Sequence, residues 1–208
     1  EGRAFVYHGS AAGLSSAAGW TGESDLGWAD FGFSVATAGD VNGDGFSDVV
    51  VGAIGYNYYG RVYLFPGGST GLDMTPSWTV DGDQSNASFG WSVATAGDVN
   101  GDGYSDLIVG VNDYTNGEDN EGRAYVYHGS ASWPSATAAW FAEGNLVDAA
   151  FGHSVATAGD VNGDGYSDVI VGSYNCCFGG AAYVYHGSAS GLNFIADWTS
   201  QSSVEGSA

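Results

Sequence analysis

Apolar positions in this chain come in short runs fenced by turn residues. Residues 48–54 read DVVVGAI and residues 61–65 read RVYLF, β-branched or aromatic stretches bounded by Gly, Asn and Asp. No long window shows the period of about 3.6 residues that an amphipathic helix needs, and glycine interrupts every stretch. The pattern predicts four short strands per unit, called A to D here. In the first complete unit A spans 31–38, B spans 48–54, C spans 61–65, and D surrounds Trp78.

The units repeat. Twelve residues, SVATAGDVNGDG, stand at 34–45 and recur unchanged at 92–103 and 154–165, offsets of 58 and 62. Each copy is preceded by Phe-Gly (Phe31-Gly32, Phe89-Gly90, Phe151-Gly152) and followed by two apolar runs and a tryptophan. Trp20, Trp78, Trp140 and Trp198 are spaced 58, 62 and 58, so the tryptophan series has one member more than the Phe-Gly series. The division expected is a partial unit of strands C and D at 1–30, then complete units at 31–88, 89–150 and 151–208, all in one domain. Strand A is rich in Ala, Gly and Ser, whereas C and D carry Tyr, Phe and Trp. That taper suits an all-β β-propeller of four-stranded antiparallel blades, whose inner strands crowd together and whose outer strands fill wider space.

The Phe-Gly start, the DVNGDGxSD loop and Val51-Gly52-Ala53 together resemble the FG-GAP repeats of integrin α subunits and of many bacterial extracellular proteins. The likeness covers essentially the whole chain. The second and third units depart from it at Gly110-Val111-Asn112 and Gly172-Ser173-Tyr174. The resemblance implies a β-propeller, most often of seven blades, with strand A lining the central channel.

The Asp-rich loop has its own chemistry. Asp40, Asn42, Asp44 and Asp48 occupy positions 1, 3, 5 and 9, and the backbone carbonyl of Phe46 stands at position 7. Oxygen donors on alternate residues converge on one cation only if the chain turns sharply, which the glycine at position 6 allows. The same set returns as Asp98, Asn100, Asp102, Tyr104 and Asp106, and as Asp160, Asn162, Asp164, Tyr166 and Asp168. Oxygen-only ligands favour Ca²⁺ over zinc or copper, so three structural calcium sites are expected. An EF-hand is excluded, because position 12 is Val51, Val109 or Val171 rather than a bidentate Glu. The plain alternative is a metal-free Asp/Asn/Gly turn. Three identical copies, each crowding three carboxylates together, argue against it.

Composition narrows the function. The 208 residues carry 24 acids against three arginines and no lysine, a net charge of −21, so nucleic acid and anionic membranes are poor partners. No apolar run approaches the roughly 18 residues of a membrane helix. A chain opening on Glu1, without initiator Met or signal sequence, reads as a mature or excised segment.

The remaining candidates have plain readings. His8, His128 and His186 share one repeat position that Pro66 fills in the other copy, which argues against a catalytic base, and His153 stands where the other copies have Phe33 and Trp91. Arg3, Arg61 and Arg123 share the entrance of strand C and are expected to pair with carboxylates. The B–C loops vary most, and Tyr56, Tyr58, Tyr59, Tyr114 and Tyr174 within them could stack on sugars or a protein partner. Asn86-Ala87-Ser88 is a formal glycosylation sequon. Cys176 and Cys177 are expected to form a vicinal disulfide in an oxidising location, with two thiols as the alternative.

The reading that results is a non-enzymatic, extracellular, calcium-stabilised propeller segment for adhesion, protein–protein interaction or self-assembly. A carbohydrate-binding propeller is the alternative, and a hydrolase is weaker because no catalytic constellation appears. Three complete units fall short of the four to eight blades, roughly, that close a propeller. Open blade edges around Arg3–Tyr7 and Trp198 are therefore expected to pair with more of a longer polypeptide or with a neighbouring subunit.

Overall fold

A computed structural model describes residues 1–176 and 179–202. The chain begins with β1 (Ala4–Val6), a short hairpin of β2 (Gly9–Ser10) and β3 (Gly13–Leu14), and β4 (Trp20–Gly22), with β1 paired to β4. Three four-stranded antiparallel sheets follow, each in sequential order. The first is β5 (Phe31–Gly39), β6 (Asp48–Ala53), β7 (Arg61–Phe65) and β8 (Trp78–Asp81). The second is β9 (Phe89–Gly97), β10 (Asp106–Val111), β11 (Arg123–Tyr127) and β12 (Trp140–Glu143). The third is β13 (Phe151–Gly159), β14 (Asp168–Ser173), β15 (Ala181–Tyr185) and β16 (Trp198–Gln201). The protein is all-β, and its sheets are propeller blades with the predicted strands A to D in each. Among the described residues no helix is long and apolar enough to cross a membrane.

The predicted boundaries move by a residue at two places. Strand A runs on to Gly39, whose φ of 76° lets the chain turn into the Asp loop. Strand B stops at Ala53, because the chain turns at Tyr56–Tyr58, where Asn57 and Tyr58 take positive φ. The β2–β3 hairpin is an addition that the sequence pattern did not suggest. The expected Cys176–Cys177 bridge involves Cys177, which lies outside the described residues.

The core lies between blades. Within β6 and β7, Val50 faces Leu64 on one side of the sheet and Val51 faces Tyr63 on the other, the alternation of a sheet covered on both faces. Val50, Val62, Leu64 and Trp78 pack forward against Phe89, Leu107, Val109 and Tyr127 of the second blade. Val51, Tyr63 and Phe65 pack backward with Trp20 of the partial blade. The second blade repeats this forward, with Ile108, Val126 and Trp140 against Phe151, Val169 and Tyr185.

The small residues of strand A serve close approach. The Ser34 hydroxyl donates to the Gly90 carbonyl and Ser92 to the Gly152 carbonyl, each at 2.7 Å. Gly52 sits under the same carbonyl, and a Cβ there would come within 2.3 Å of the Gly90 oxygen. The glycine of the Val-Gly pair is thus a requirement of blade stacking.

Candidate metal centre

The three Asp loops join strands A and B of their blades and share one hydrogen-bonding scheme. In the first, Asp40 Oδ1 accepts the amides of Gly43 and Asp44 at 2.8 and 3.0 Å, and its Oδ2 accepts that of Gly45 at 2.8 Å. Asn42 Oδ1 accepts the Asp44 amide, and Asp44 Oδ1 that of Phe46, both at 2.9 Å. Asp48 reaches back to the amides of Val41 and Gly67, both at 2.9 Å. Asp98, Asn100, Asp102 and Asp106 repeat the scheme, as do Asp160, Asn162, Asp164 and Asp168. Positions 1, 3 and 5 therefore share one knot of loop amides, while the position-9 carboxylate ties the loop to its second residue and to the glycine after strand C.

In this arrangement the loop's own amides engage the carboxylates. Among the described residues no three Asp, Glu, His or Cys side chains converge at metal-ligating spacing. The donor chemistry nevertheless fits a hard divalent cation. Asp48, Asp106 and Asp168 are fully buried, and among the described residues no arginine or histidine pairs with them. Burial pushes the Asp106 carboxyl up to about 7, the charges of Asp102 and Asp98 add to the shift, and the amides of Gly129 and Val99 only partly offset it. Burial raises Asp48 in the same way. Asp160 behaves oppositely, because the amides of Gly165, Gly163 and Asp164 hold it below the usual carboxylate range. A carboxylate buried without a countercharge is what a bound cation would neutralise.

The loops also clasp successive blades. The Ser105 amide donates to the Asp40 carbonyl at 2.9 Å, while the Asp40 amide donates to the Ser105 hydroxyl at 3.1 Å. The Ser130 amide donates to the Val41 carbonyl at 3.0 Å. Ser167 and Ser188 repeat this clasp on Asp98 and Val99. The Tyr104 ring lies across Gly43, and Tyr166 across Gly101. The role of the serine after position 7 was not read from the sequence, although its invariance in SD pairs was the available signal.

The other candidates settle into packing. Arg3 pairs with Glu23 at 2.6 Å, Arg61 with Asp81, and Arg123 with Glu143. The arginines also occupy loop tyrosines: the Arg61 guanidinium lies 3.9 Å from the Tyr56 ring centre and that of Arg123 lies 3.7 Å from Tyr114. Tyr114 is buried, while Tyr58, Tyr59 and Tyr174 remain exposed. His153 packs as expected, between Trp91 and Tyr174, with Nδ1 2.9 Å from Asn112 Oδ1.

The FG-GAP repeat family matches three stretches of this chain, residues 31–65, 89–127 and 151–185. Integrin alpha-PS2 of Drosophila melanogaster is 37% identical over 165 residues, 70% of this chain and 11% of the relative. Integrin alpha-IIb of Mus musculus is 36% identical over 156 residues, 69% of this chain and 15% of its own. Integrin alpha-6 of Homo sapiens is 34% identical over 147 residues, 69% of this chain and 13% of its own. The chain thus spans a small fraction of the length of the relatives it matches.

Proposed function

The chain belongs to the FG-GAP repeat family, and on that premise we propose that it is an extracellular adhesion module whose blades are held in register by three calcium ions. The observation that carries the calcium reading is the burial of Asp48, Asp106 and Asp168 without a cationic partner, in three loops of identical sequence. In each loop the position-9 carboxylate, the position-1 and position-5 carboxylates and the Asn side chain would hold the ion, with the position-7 carbonyl completing an oxygen-only set. Ion binding replaces some of the amide contacts and removes the repulsion among three carboxylates. Because the first two of these loops also bond to the following blade, calcium there would stabilise blade stacking rather than act on a substrate.

Adhesion to a protein partner, or to another blade of the same kind, is supported by the outer face of the third blade. There Val161 and Trp198 are exposed, although their counterparts in blade two, Val99 and Trp140, are buried against the third blade. A glycan ligand is the second reading, favoured by the exposed loop aromatics.

The calcium reading is tested by thermal melting in chelator and in millimolar calcium. At calcium about ten-fold above the dissociation constant each site is expected to add about 1.4 kcal/mol. Asp106→Asn should remove a share of the shift that corresponds to one loop. Identical melting curves with and without calcium overturn the proposal.

A further inference from the structure

One cleft on the loop side of the molecule belongs to neither the calcium loops nor the blade faces. It has a volume of about 530 Å³ and lies where the loop before β5, the loop after β6 and the loop before β9 meet. Its chemistry comes from Trp28, Asp30, Asn57, Tyr58, Asn86 and Ser88. The loops are tied together by backbone bonds, from the Gly55 amide to the Ala29 carbonyl at 3.0 Å and from the Asn86 amide to the Tyr58 carbonyl at 2.6 Å.

The repeat shows what is unusual here. Counting back three residues from each Phe-Gly gives Trp28, Asn86 and Asp148, all with positive φ, at 66°, 61° and 56°. Asn and Asp adopt this left-handed conformation at little cost, and a bulky aromatic does not. Trp28 gains no burial in exchange, since 88% of its surface is exposed. Tyr58 repeats the anomaly, with a φ of 68° and 76% exposure. Two strained, solvent-facing aromatics at the rim of one cleft have no packing rationale, and strain of this kind collects at binding sites.

We propose that this cleft binds a neutral saccharide. The Trp28 and Tyr58 rings offer flat apolar faces to the C–H side of a sugar ring, and aromatic side chains of this type combine apolar area with few rotatable bonds. Asp30 and Asn57 supply a carboxylate and an amide, the Asn86 amide keeps its Oδ1 and a second N–H beyond its bond to Ser85 Oγ, and the Ser88 hydroxyl, which donates to Asp113 Oδ2 at 2.8 Å, keeps acceptor capacity, a mixed set that matches neighbouring sugar hydroxyls. Among the described residues no hydrogen bond engages the side chains of Asp30 or Asn57, so both are available to a ligand. Among the described residues no arginine, lysine or histidine lines the cleft, and Asp30 adds negative charge within a strongly acidic chain. Acidic peptides, phosphates and acidic sugars therefore meet repulsion with no cation to receive them. The volume lies within the range of small-ligand pockets, about 300–1,000 Å³, and holds one or two sugar units. The proposal deepens the glycan reading above and rests on it, but not on the calcium loops.

The test uses the chain made in a host that does not N-glycosylate, so that Asn86 is unmodified. Binding is read on an array of neutral, acidic and amino-sugar glycans and by saturation-transfer NMR with neutral mono- and disaccharides at tens of millimolar. The expected result is binding confined to neutral saccharides, weakened about ten-fold or more by Trp28→Asn and by Tyr58→Ser. Trp28→Asn places in this turn the residue its neighbouring copy uses, so its melting temperature should be unchanged or higher, which separates lost binding from lost fold. No neutral-saccharide binding, binding of acidic glycans or peptides alone, or full binding by Trp28→Asn overturns the proposal. Calcium-dependent melting in the same samples shows whether the calcium reading stands regardless.

Discussion

The second and third blades carry the same twelve-residue block, yet their surfaces are not alike. Val99 of the second blade is fully buried, and so is Val41 of the first, whereas Val161 of the third is 57% exposed. The tryptophan that opens strand D follows suit, with Trp140 at 2% exposure and Trp198 at 51%. Among the described residues nothing stands on the outer side of the third blade to provide the clasp that Ser105 and Ser167 provide for the first two. Identical residues thus acquire different energetic weight according to whether another sheet covers them. The interface with a neighbouring blade therefore adds to a blade's own stability, as in other repeat architectures.

The comparison is broken most severely by a charge. Val99→Asp buries an unpaired carboxylate between two blades and is expected to cost at least about 3 kcal/mol, whereas Val161→Asp should stay within about 0.5 kcal/mol. Denaturant unfolding measures both. Light scattering of Val161→Asp adds a second reading: if the outer face of the third blade recruits another blade, this variant self-associates less than the parent. Equal destabilisation by the two substitutions would refute the claim that the neighbour sets the energetics.

A smaller contrast lies in the clasp. Ser105→Ala removes the hydroxyl that accepts the Asp40 amide and should cost about 1 kcal/mol, while Ser47→Ala, at the same position in the first blade, should cost less than about 0.5 kcal/mol. Ser47 is exposed and makes no such bond among the described residues. Matching losses from both would show that the serine acts within its own loop.

The smallest effect is on alkaline stability. Burial pushes Tyr185 of the third blade up to about 12 and raises Tyr127 of the second blade further. Both folded values lie above the unfolded value of 10.0, so the stability gained by keeping these phenols neutral is intact below pH 10. It is lost as pH rises through 12 for Tyr185, and Tyr127 should follow later. Phenolate absorbance of Tyr127→Phe and Tyr185→Phe against the parent resolves the order. Titration of all tyrosines together in the folded chain, near their unperturbed value, would count against it.

Much of this molecule was legible in the sequence because its information is local. Turn chemistry in DVNGDG, the Phe-Gly starts and the β-branched runs specify where strands begin and end, and the repeat spacing specifies that each group of four forms one sheet. The knot of amides around Asp40, Asp98 and Asp160 lies within nine residues, so the candidate metal centre could be assigned loop by loop. The bonding partner of Ser105 could not, because Asp40 is 65 residues away and belongs to another blade. Nor could the loop tyrosines be sorted: Tyr114 disappears beneath Arg123 while Tyr58 stands in solvent.

The sequence by itself determined the all-β class, the unit of four strands and the placement of nine aspartates in three loops, since each follows from hydrogen bonding and sterics among near neighbours. Only the tertiary structure decided that two of three identical valines are buried and the third exposed, that burial lifts Asp106 to about 7, and that Trp28 occupies a strained turn beside Tyr58. Burial and the field around a charge are properties of what lies across an interface, and residues with the same neighbours in sequence need not have the same neighbours in space.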